Sequence, residues 1–399
     1  MTMYQEQQQA EKEKERKALL SLLEDMADSN VSRMRPCIHG GDVQKTAAAL
    51  GISWRKMIDF SASVNPLGPS PKVLKAICDN LWQIPFYPHP SSDLLKESIS
   101  KHIEGIDEGN VIVGNGSTEL IWLFSDVLLS DGDSVIVPAP TYGEYETAIS
   151  KKGTNPIFLN LDQGNEFRIV SEDVIDRVYS EKVKAVFICN PNNPPSKAVK
   201  REEMFSLVEE CARKNVFVFV DEAYIDFVDK PSEVTVAPEV NDYWNLFVLH
   251  SMTKIHGMPG LRVGYGISNH EFINLLERVK QPWNVNCLAQ IAAIEGLKDE
   301  DHLRKTREII TSGRKYLVEK IETFKSLHLY KPEANFLLIN IKESGMTAAQ
   351  LKKKLARKRI LIRDCSSFRN MDEYHVRVSV RTLQQNQKLI KALKETLNE

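Results

Sequence analysis

Short apolar runs alternate with amphipathic segments between residues 110 and 267 of the chain. The runs are rich in Val, Ile and Phe, which favours strands, whereas segments such as "STELIWLFSDVLL" and "REEMFSLVEECARK" favour helices. The strand candidates are "NVIVGN", "DSVIVPAP", "NPIFLNL", "KAVFICNP", "VFVFVDEA", "LFVLHS" and "LRVGYGI". This alternation predicts an α/β fold with a doubly wound, mostly parallel sheet that is covered by helices on both faces.

The pattern changes after residue 298, where a long helix is predicted over residues 302–323. The segments that follow are "ANFLLINI", a helix near 347–357, "ILIRDC", "YHVRVSV" and a final helix from residue 383. They predict a second, smaller α+β domain. We therefore divide the chain into four parts. These are an N-terminal helical extension (1–35), the N-terminal part of the small domain or an arm (36–75), a large domain (76–298) and a small C-terminal domain (299–399).

The N-terminal extension contains a charged, helix-favouring stretch over residues 4–27. Its second half has an apolar side, formed by Leu19, Leu20, Leu22, Leu23 and Met26. Two interpretations fit this pattern equally well. The extension packs on the body of the protein or on a partner chain, or it is a solvated tail.

Composition and charge exclude several classes of protein for this 399-residue chain. The formal net charge of −2 argues against a nucleic-acid binder, which normally carries a basic surplus. No run of 18 apolar residues is present, and the polar N-terminus lacks the apolar core of a secretory signal, so we expect no membrane segment and a cytoplasmic location. The six cysteines are scattered without a CxxC pair, which favours free thiols over disulfides or a zinc site.

Several of the predicted strands are followed by polar residues whose side chains can bind a ligand or take part in catalysis. Parallel sheets bind ligands at the carboxyl ends of their strands. In "VGNGSTELI" a strand runs into Gly116, Ser117 and Thr118, where a helix begins. The free N–H groups of a helical first turn can hold a phosphate, and glycine allows close approach. The plain alternative for this segment is a helix cap.

Asp221, in "FVDEAYIDF", follows a buried strand, and a carboxylate there requires a cationic or hydrogen-bonding partner. A protonated pyridine nitrogen is one such partner, and a helix N-cap role is the alternative. Tyr224, three residues later, can point a phenol into the same pocket. Asn193, in "ICNPNNPPS", can donate a hydrogen bond to a ligand oxygen, unless the segment is a rigid loop and nothing more.

Lys254, in "HSMTKIHGMPGLRVGYGI", lies just after the apolar run "NLFVLH" and beside Ser251 and Arg262. A lysine that loses its proton is an amine nucleophile and can form an imine with an aldehyde, although a lone lysine is usually solvated. Together the strand ends offer a phosphate cradle, an acid for a ring nitrogen, a donor for a ring hydroxyl and an imine-forming amine. These are the four requirements of pyridoxal 5′-phosphate.

The order of these motifs resembles that of the fold type I enzymes dependent on pyridoxal phosphate, over about residues 36–397. The resemblance is to the branch that contains histidinol-phosphate aminotransferase and L-threonine-O-3-phosphate decarboxylase of cobalamin biosynthesis. "HGGDVQKTAAALGISWRKMIDFSASVNPLGPSP" is similar to the decarboxylase opening, and "LIRDCSSF" followed by "YHVRVSVRT" is similar to its ending. The chain departs from the pattern in having Pro195-Ser196 where Thr-Gly is usual, and in its residues 1–35.

The resemblance implies a role for each candidate residue in binding the cofactor within the large domain. Lys254 would form the covalent imine, Asp221 would pair with the ring nitrogen, and Asn193 and Tyr224 would bind the ring hydroxyl. Tyr142 would stack on the ring face. The cofactor phosphate would be held by Gly116, Ser117, Thr118, Ser251 and Arg262, and by Tyr87 from the other subunit of a homodimer with composite active sites.

The resemblance also implies the substrate contacts and the reaction. Arg377 would bind the substrate carboxylate, and Arg363, His39 and Asn65 would contact the rest of the substrate, including its phosphate. An ion pair of Arg363 with Asp364 or another acid is the alternative. No metal site and no nucleic-acid or membrane partner is expected.

The implied reaction is decarboxylation of a phosphoamino acid, for the linker of a cobamide nucleotide loop. The substrate would be L-threonine O-3-phosphate, giving (R)-1-aminopropan-2-yl phosphate, or L-serine O-phosphate, giving ethanolamine phosphate. Two alternatives stay open, an aminotransferase of the histidinol-phosphate type or for an aromatic amino acid, and a ligand-responsive binding protein on the same scaffold.

Overall fold

The computed structural model describes residues 3–32, 34 and 36–398. The strands are β1 Ile58–Asp59, β2 Val111–Gly114, β3 Ser134–Ala139, β4 Asn155–Asn160, β5 Ala185–Cys189, β6 Phe217–Asp221, β7 Leu246–Ser251, β8 Gly264–Ser268, β9 His328–Leu329, β10 Phe336–Asn340, β11 Ile360–Leu361, β12 Arg363–Asp364 and β13 His375–Ser379. The helices are α1 Met3–Met26, α2 Ser29–Ser32, α3 Val43–Ala49, α4 Pro71–Asp79, α5 Asp93–Ser100, α6 Ser117–Leu128, α7 Glu144–Lys151, α8 Ser171–Ser180, α9 Arg201–Arg213, α10 Met252–Ile255, α11 His270–Glu277, α12 Cys287–Leu297, α13 Glu300–Ile321, α14 Ala348–Arg357 and α15 Leu383–Leu397.

The central sheet has seven strands in the order β2-β8-β7-β6-β5-β3-β4. Strand β8 is antiparallel to both of its neighbours, and the pairs β7-β6, β6-β5, β5-β3 and β3-β4 are parallel. The predicted doubly wound, mostly parallel sheet is therefore confirmed. Because β8 runs in the opposite direction, its first residues lie at the same edge as the carboxyl ends of β2 and β7.

The strands β5, β6 and β7 are buried on both faces, since helices cover each side of the sheet. Alternation along β6 sends Phe217 and Phe219 to one face, where they pack around Phe124 of α6. Val218 and Val220 point to the opposite face, which is covered by residues of α5, α8, α9 and α12. This two-sided burial explains why the strands read as nearly continuous apolar runs.

The second sheet is antiparallel, with the order β12-β13-β10-β9, and it packs with α13, α14 and α15 around a separate apolar core. The predicted segment "ILIRDC" forms two short strands, because β11 pairs with β1 and the chain changes sheets at Ile362. The core of this unit includes Ile255, which follows Lys254, and Tyr224, whose ring contacts the Lys254 ammonium group. The domain limits proposed from the sequence stay predictions.

Helix α1 is exposed on all sides, since every side chain from Glu11 to Met26 is solvent-accessible. Its apolar side chains Leu19, Leu20, Leu22 and Leu23 are each more than half exposed. Both interpretations of the extension therefore stay open. Within residues 3–32, 34 and 36–398, no helix combines the length and the apolarity required to cross a membrane.

Candidate active site

Lys254 lies in α10, directly after strand β7, at the carboxyl edge of the central sheet. Its side chain is half-buried, and its Nζ atom lies 5.6 Å from the centroid of the Tyr224 ring. Among the described residues, this ammonium group forms no salt bridge and no hydrogen bond. The ring contact thus leaves Nζ available for chemistry in the cavity that it lines.

Asp221 ends strand β6, and the residue is 4% exposed. One carboxylate oxygen accepts a hydrogen bond from the Tyr145 hydroxyl at 2.6 Å, and the other accepts one from the Ala223 N–H at 2.9 Å. Burial raises the pKa of Asp221, whereas the Tyr145 hydrogen bond and the charge of Lys254 lower it. No cation in the described part of the chain forms a salt bridge with this carboxylate, so it is suited to a ligand that brings a cationic nitrogen.

A cradle for an anion forms where strand β2 passes into helix α6. Gly116 has a φ of +77°, and a Cβ at this position would overlap the guanidinium group of Arg262. A Cβ on Gly264 would lie 2.7 Å from the backbone nitrogen of Ser117, and Gly264 is the register partner of Ser251. The first turn of α6, Arg262 and the end of β7 are therefore adjacent, and their N–H groups can hold a phosphate.

Three side chains predicted to face the cofactor ring line the same cavity as Lys254, namely Tyr142, Asn193 and Tyr224. Burial raises the pKa of Tyr142, and a hydrogen bond with Thr118 opposes this shift. The side-chain oxygen of Asn193, Oδ1, accepts a hydrogen bond from Arg377. The side-chain N–H groups of Asn193 are therefore left to donate to a ligand oxygen. The ring of Tyr142, the amide of Asn193 and the phenol of Tyr224 thus surround one space.

Arg363 and Arg377 also line this cavity, and each is 5% exposed. Arg363 donates hydrogen bonds to the Ile38 carbonyl at 2.6 Å and to the Ser367 hydroxyl at 2.9 Å, so the alternative ion pair with Asp364 is not formed. Arg377 donates to Asn193 and to the Ser61 carbonyl, and its Nε is buried without a partner. Neither guanidinium has a carboxylate partner among the described residues.

A loop between β12 and β13 closes one side of the cavity. Arg369 in this loop forms a two-point ion pair with Glu146 of α7, at 2.6 and 3.2 Å, and stacks over the Phe158 ring. The Asn370 amide donates to the carbonyl groups of Ala139 and Leu161, each at 3.0 Å. The loop is therefore attached to the ends of β3 and β4, beside the cavity that Arg369 lines.

His39 reaches the mouth of the cavity, where its Nε2 lies 2.8 Å from a carboxylate oxygen of Glu144. Asn65 does not line the cavity that Lys254 lines, and its predicted substrate contact stays a prediction. Its amide donates to the Ile255 carbonyl and to the Thr306 hydroxyl, both at 2.8 Å, and its oxygen accepts from the Leu67 N–H. These internal bonds hold the segment that follows Lys254.

Tyr87 lies outside the cavity of the single chain, with 79% of its surface exposed. Its ring stacks on Trp283 with centroids 4.5 Å apart. The sequence analysis missed Tyr145 and Glu144, although both follow Tyr142 closely in the segment "PAPTYGEYE". Their partners, Asp221 and His39, are 76 and 105 residues away in the chain, so no local pattern could reveal the pairing.

A fold of this topology, with an amine at the end of β7 facing a buried acid from β6 and an anion cradle at α6, defines the pyridoxal-phosphate enzymes of fold type I. The chain belongs to the family described as aminotransferase class I and II, whose model matches residues 55–393. Members of this family use pyridoxal 5′-phosphate. The buried, cation-free Asp221 and the glycine-lined cradle fit that cofactor.

Known relatives carry two different activities in their names. The chain is 32% identical to the histidinol-phosphate aminotransferase of Methanosphaera stadtmanae over 358 residues, which are 90% of this chain and 95% of the relative. It is 35% identical to a Caldanaerobacter subterraneus protein named "Putative threonine-phosphate decarboxylase", over 91% of this chain and 94% of that one. The crystal structure of L-threonine-O-3-phosphate decarboxylase from Porphyromonas gingivalis is similar with a TM-score of 0.76 at 26% identity, covering 86% and 100% of the two chains.

Proposed function

We propose that the chain decarboxylates a small phosphoamino acid, L-threonine O-3-phosphate or L-serine O-phosphate, to an aminoalkyl phosphate and CO₂. The observation that carries this proposal is the pair Arg363 and Arg377, buried in the wall of the cavity that Lys254 also lines. The bound cofactor supplies an electron-withdrawing ring that stabilises negative charge at the substrate Cα. Lys254, Asp221 and the α6 cradle are the groups that we assign to hold it.

The two arginines are register partners on the antiparallel strands β12 and β13, so their side chains leave the same face of the sheet. Like charges directly opposite each other destabilise a strand pair, and burial increases that cost. Burial and the charge of Arg377 lower the pKa of Arg363. An anionic ligand removes this repulsion, and guanidinium groups match carboxylate and phosphate with paired hydrogen bonds.

A phosphoamino acid carries two anionic groups, a carboxylate and a phosphate, which suits two guanidinium groups. Anchoring both ends fixes the rotation about the Cα bonds. Bond breaking at Cα requires the broken bond to stand perpendicular to the cofactor ring. We infer that the two arginines hold the carboxylate in that orientation, so that CO₂ leaves rather than the Cα proton.

Lys254 is the group that we assign to deliver a proton to Cα after CO₂ has left. Its Nζ faces the cavity without an ion-pair partner among the described residues. A general acid must lie within hydrogen-bond reach of the atom that it protonates, and an amine that holds the cofactor meets this condition.

A second candidate function is amino transfer of the histidinol-phosphate type. The observation that favours it is the similarity to the Methanosphaera stadtmanae protein, which is named a histidinol-phosphate aminotransferase. The match covers most of both chains. Histidinol phosphate carries one anionic group and no carboxylate, so it would occupy one of the two guanidinium groups. The two candidates differ in product, because amino transfer yields a carbonyl compound and requires an amino acceptor.

The test of the proposal is an Arg363→Ala variant assayed for CO₂ release with phosphothreonine, phosphoserine, threonine and serine. Remote binding energy that is used for orientation affects kcat as well as KM. We therefore expect kcat/KM to fall by about 10²-fold or more for phosphothreonine and phosphoserine. The fall for threonine and serine should be much smaller. Arg357→Ala, an exposed arginine of α14, is the matched control.

Equal losses for all four amino acids in Arg363→Ala would mean that this arginine supports the fold rather than the phosphate. Wild-type protein that forms a carbonyl product with 2-oxoglutarate from histidinol phosphate, and no CO₂ from the phosphoamino acids, would establish the second candidate. The preferred substrate is decided by the ratio of kcat/KM values. One methyl group in an apolar pocket accounts for about 1–3 kcal/mol.

We also propose a two-fold homodimer in which Tyr87 completes the partner's phosphate site. Tyr87 is one of several large apolar side chains that the single chain leaves exposed in this region, among them Trp82, Ile84 and Phe86. A cluster of exposed aromatic and aliphatic residues is typical of a protein interface. The resemblance described above places the equivalent tyrosine across the dimer.

A further inference from the structure

A thiol, an imidazole and a carboxylate meet at the mouth of the cavity. Cys37 Sγ, His39 Nε2 and a carboxylate oxygen of Glu144 all lie within 4.8 Å of one another. Cys37 and His39 belong to the segment that precedes α3, and Glu144 is the first residue of α7. This Cys–His–Glu cluster has no role in the function proposed above beyond the substrate contact assigned to His39.

The carboxylate of the cluster is held from behind. Glu144 is 7% exposed, and its second oxygen lies 3.3 Å from the indole N–H of Trp122, which donates to it. A hydrogen bond of this kind orients a carboxylate and leaves its other oxygen for a ligand. That other oxygen is the one that faces His39, at 2.8 Å from Nε2.

The thiol has room in the cluster because residue 143 is glycine. A Cβ on Gly143 would lie 2.7 Å from Cys37 Sγ, a distance that real Cβ contacts do not reach. The backbone of Gly143 is ordinary, with φ −66° and ψ −17°, so its conformation does not require glycine. The absence of a side chain therefore serves the approach of the thiol to Glu144.

The thiol makes only a weak backbone contact, a hydrogen bond of 3.9 Å to the Ile38 carbonyl. A divalent cation bound between the thiol and Glu144 would neutralise the carboxylate and favour loss of the thiol proton.

We propose that Cys37, His39 and Glu144 bind a zinc ion at the mouth of the cavity. Thiolate sulfur, imidazole nitrogen and carboxylate oxygen are the donors that zinc takes in proteins, and three protein ligands leave a fourth position open. Sulfur and nitrogen donors select zinc over magnesium or calcium. The expectation of no metal site rested on the lack of a CxxC pair, and Glu144 lies 105 residues from His39 in the sequence.

Zinc would act on access to the cavity. Ile38 lies between two of the ligands, and its carbonyl accepts a hydrogen bond from Arg363 at 2.6 Å. A bound ion would fix this segment across the mouth and would keep Arg363 and His39 occupied. We therefore expect zinc to inhibit turnover. This consequence rests on the substrate roles proposed above, whereas zinc binding itself does not.

The test is a titration of the metal-free holoprotein with Zn²⁺ against a chromophoric chelator. We expect one zinc per chain, with affinity reduced by about 10-fold or more in Cys37→Ser. Gly143→Ala retains all three ligands and should also weaken binding, because a Cβ displaces the thiol. Cys287→Ser, a half-buried cysteine at the start of α12, is the matched control and should bind zinc as the wild type does.

Cadmium provides a readout of the sulfur ligand that does not depend on affinity. We expect a thiolate-to-cadmium absorption band in the wild type and in Cys287→Ser. We expect this band to be absent from Cys37→Ser, whose unchanged melting temperature would show that the variant is folded. Wild-type zinc affinity in Cys37→Ser, or a cadmium band that persists there, would overturn the proposal. Zinc binding by a protein that shows no decarboxylation would leave the site standing and refute the proposed reaction.

Discussion

At the scale of single residues, Asp221 shows most clearly how burial prepares a side chain for a ligand. Its carboxylate accepts two hydrogen bonds and has no cationic partner among the described residues, and burial raises its pKa. A carboxyl group whose pKa is raised on folding destabilises the folded protein at pH values above that pKa. We propose that the ring nitrogen of the bound cofactor would supply the cation that the described residues do not provide.

Asp221→Asn is expected to separate stability from activity. Turnover should fall by about 10²-fold or more, because the charge that preorganises the site is lost. The cofactor-free variant should be no less stable than the cofactor-free wild type at neutral pH, since an unpaired buried charge has been removed. Steady-state kinetics and thermal unfolding measure the two effects. Near-normal turnover would show that the ring nitrogen has another partner.

At the scale of elements, α10 and α12 are held together by a buried histidine that follows Lys254 closely. A Cβ on Gly296 of α12 would lie 2.9 Å from His256 Nδ1, so helix and imidazole are in direct contact. Burial lowers the pKa of His256 from 6.5 to about 4. The folded protein therefore disfavours the protonated imidazole that the unfolded chain adopts below pH 6.5.

This pKa sets a pH window for stability. A base whose pKa is lower in the folded state contributes fully above its unfolded pKa, and the contribution is lost as pH falls from 6.5 towards about 4. A shift of this size corresponds to a loss of about 3 kcal/mol. We expect His256→Asn to flatten the pH dependence of the unfolding free energy in this window, measured by denaturant titration. An unchanged slope would show that another group causes it. The exposed His270→Asn is the control.

The helices and strands were largely predictable because the pattern of apolar and polar residues within each segment indicates its structure. The apolar run "LFVLHS" coincides with β7, and the long helix expected over 302–323 is α13 at 300–321. The split of "ILIRDC" between two sheets was not predictable, because only Ile362 separates the two strands and their partners are distant in the sequence. The contacts of Asn65 were hidden for the same reason, since "VNPLG" does not show that its amide bonds to Ile255 and Thr306.

At the scale of the whole molecule, the proposed homodimer would bring the Tyr87 hydroxyl to the phosphate site of the partner chain. If each site is composite, a Tyr87→Ala subunit and a Lys254→Ala subunit are each inactive alone for different reasons. A mixed dimer then contains one intact site, and mixing should restore activity towards about a quarter of the wild-type level, if the subunits exchange freely and mixed dimers form statistically.

The complementation is measured by turnover after mixing and by sedimentation of each variant. A fully active monomer at micromolar concentration would contradict the composite site. Wild-type activity of Tyr87→Ala alone would remove Tyr87 from it. Trp244→Ala, an exposed aromatic residue elsewhere on the large domain, controls for the loss of a surface ring.

The central claim is that this site breaks the bond between Cα and the carboxylate, and one measurement addresses that bond directly. Phosphothreonine is turned over in D₂O, and the products are examined by mass spectrometry and proton NMR. The account predicts an aminopropyl phosphate that keeps the original Cα hydrogen and gains one deuterium at the same carbon, with one CO₂ released per turnover. Recovered phosphothreonine whose Cα hydrogen has exchanged for deuterium, or a carbonyl product without CO₂, would contradict it.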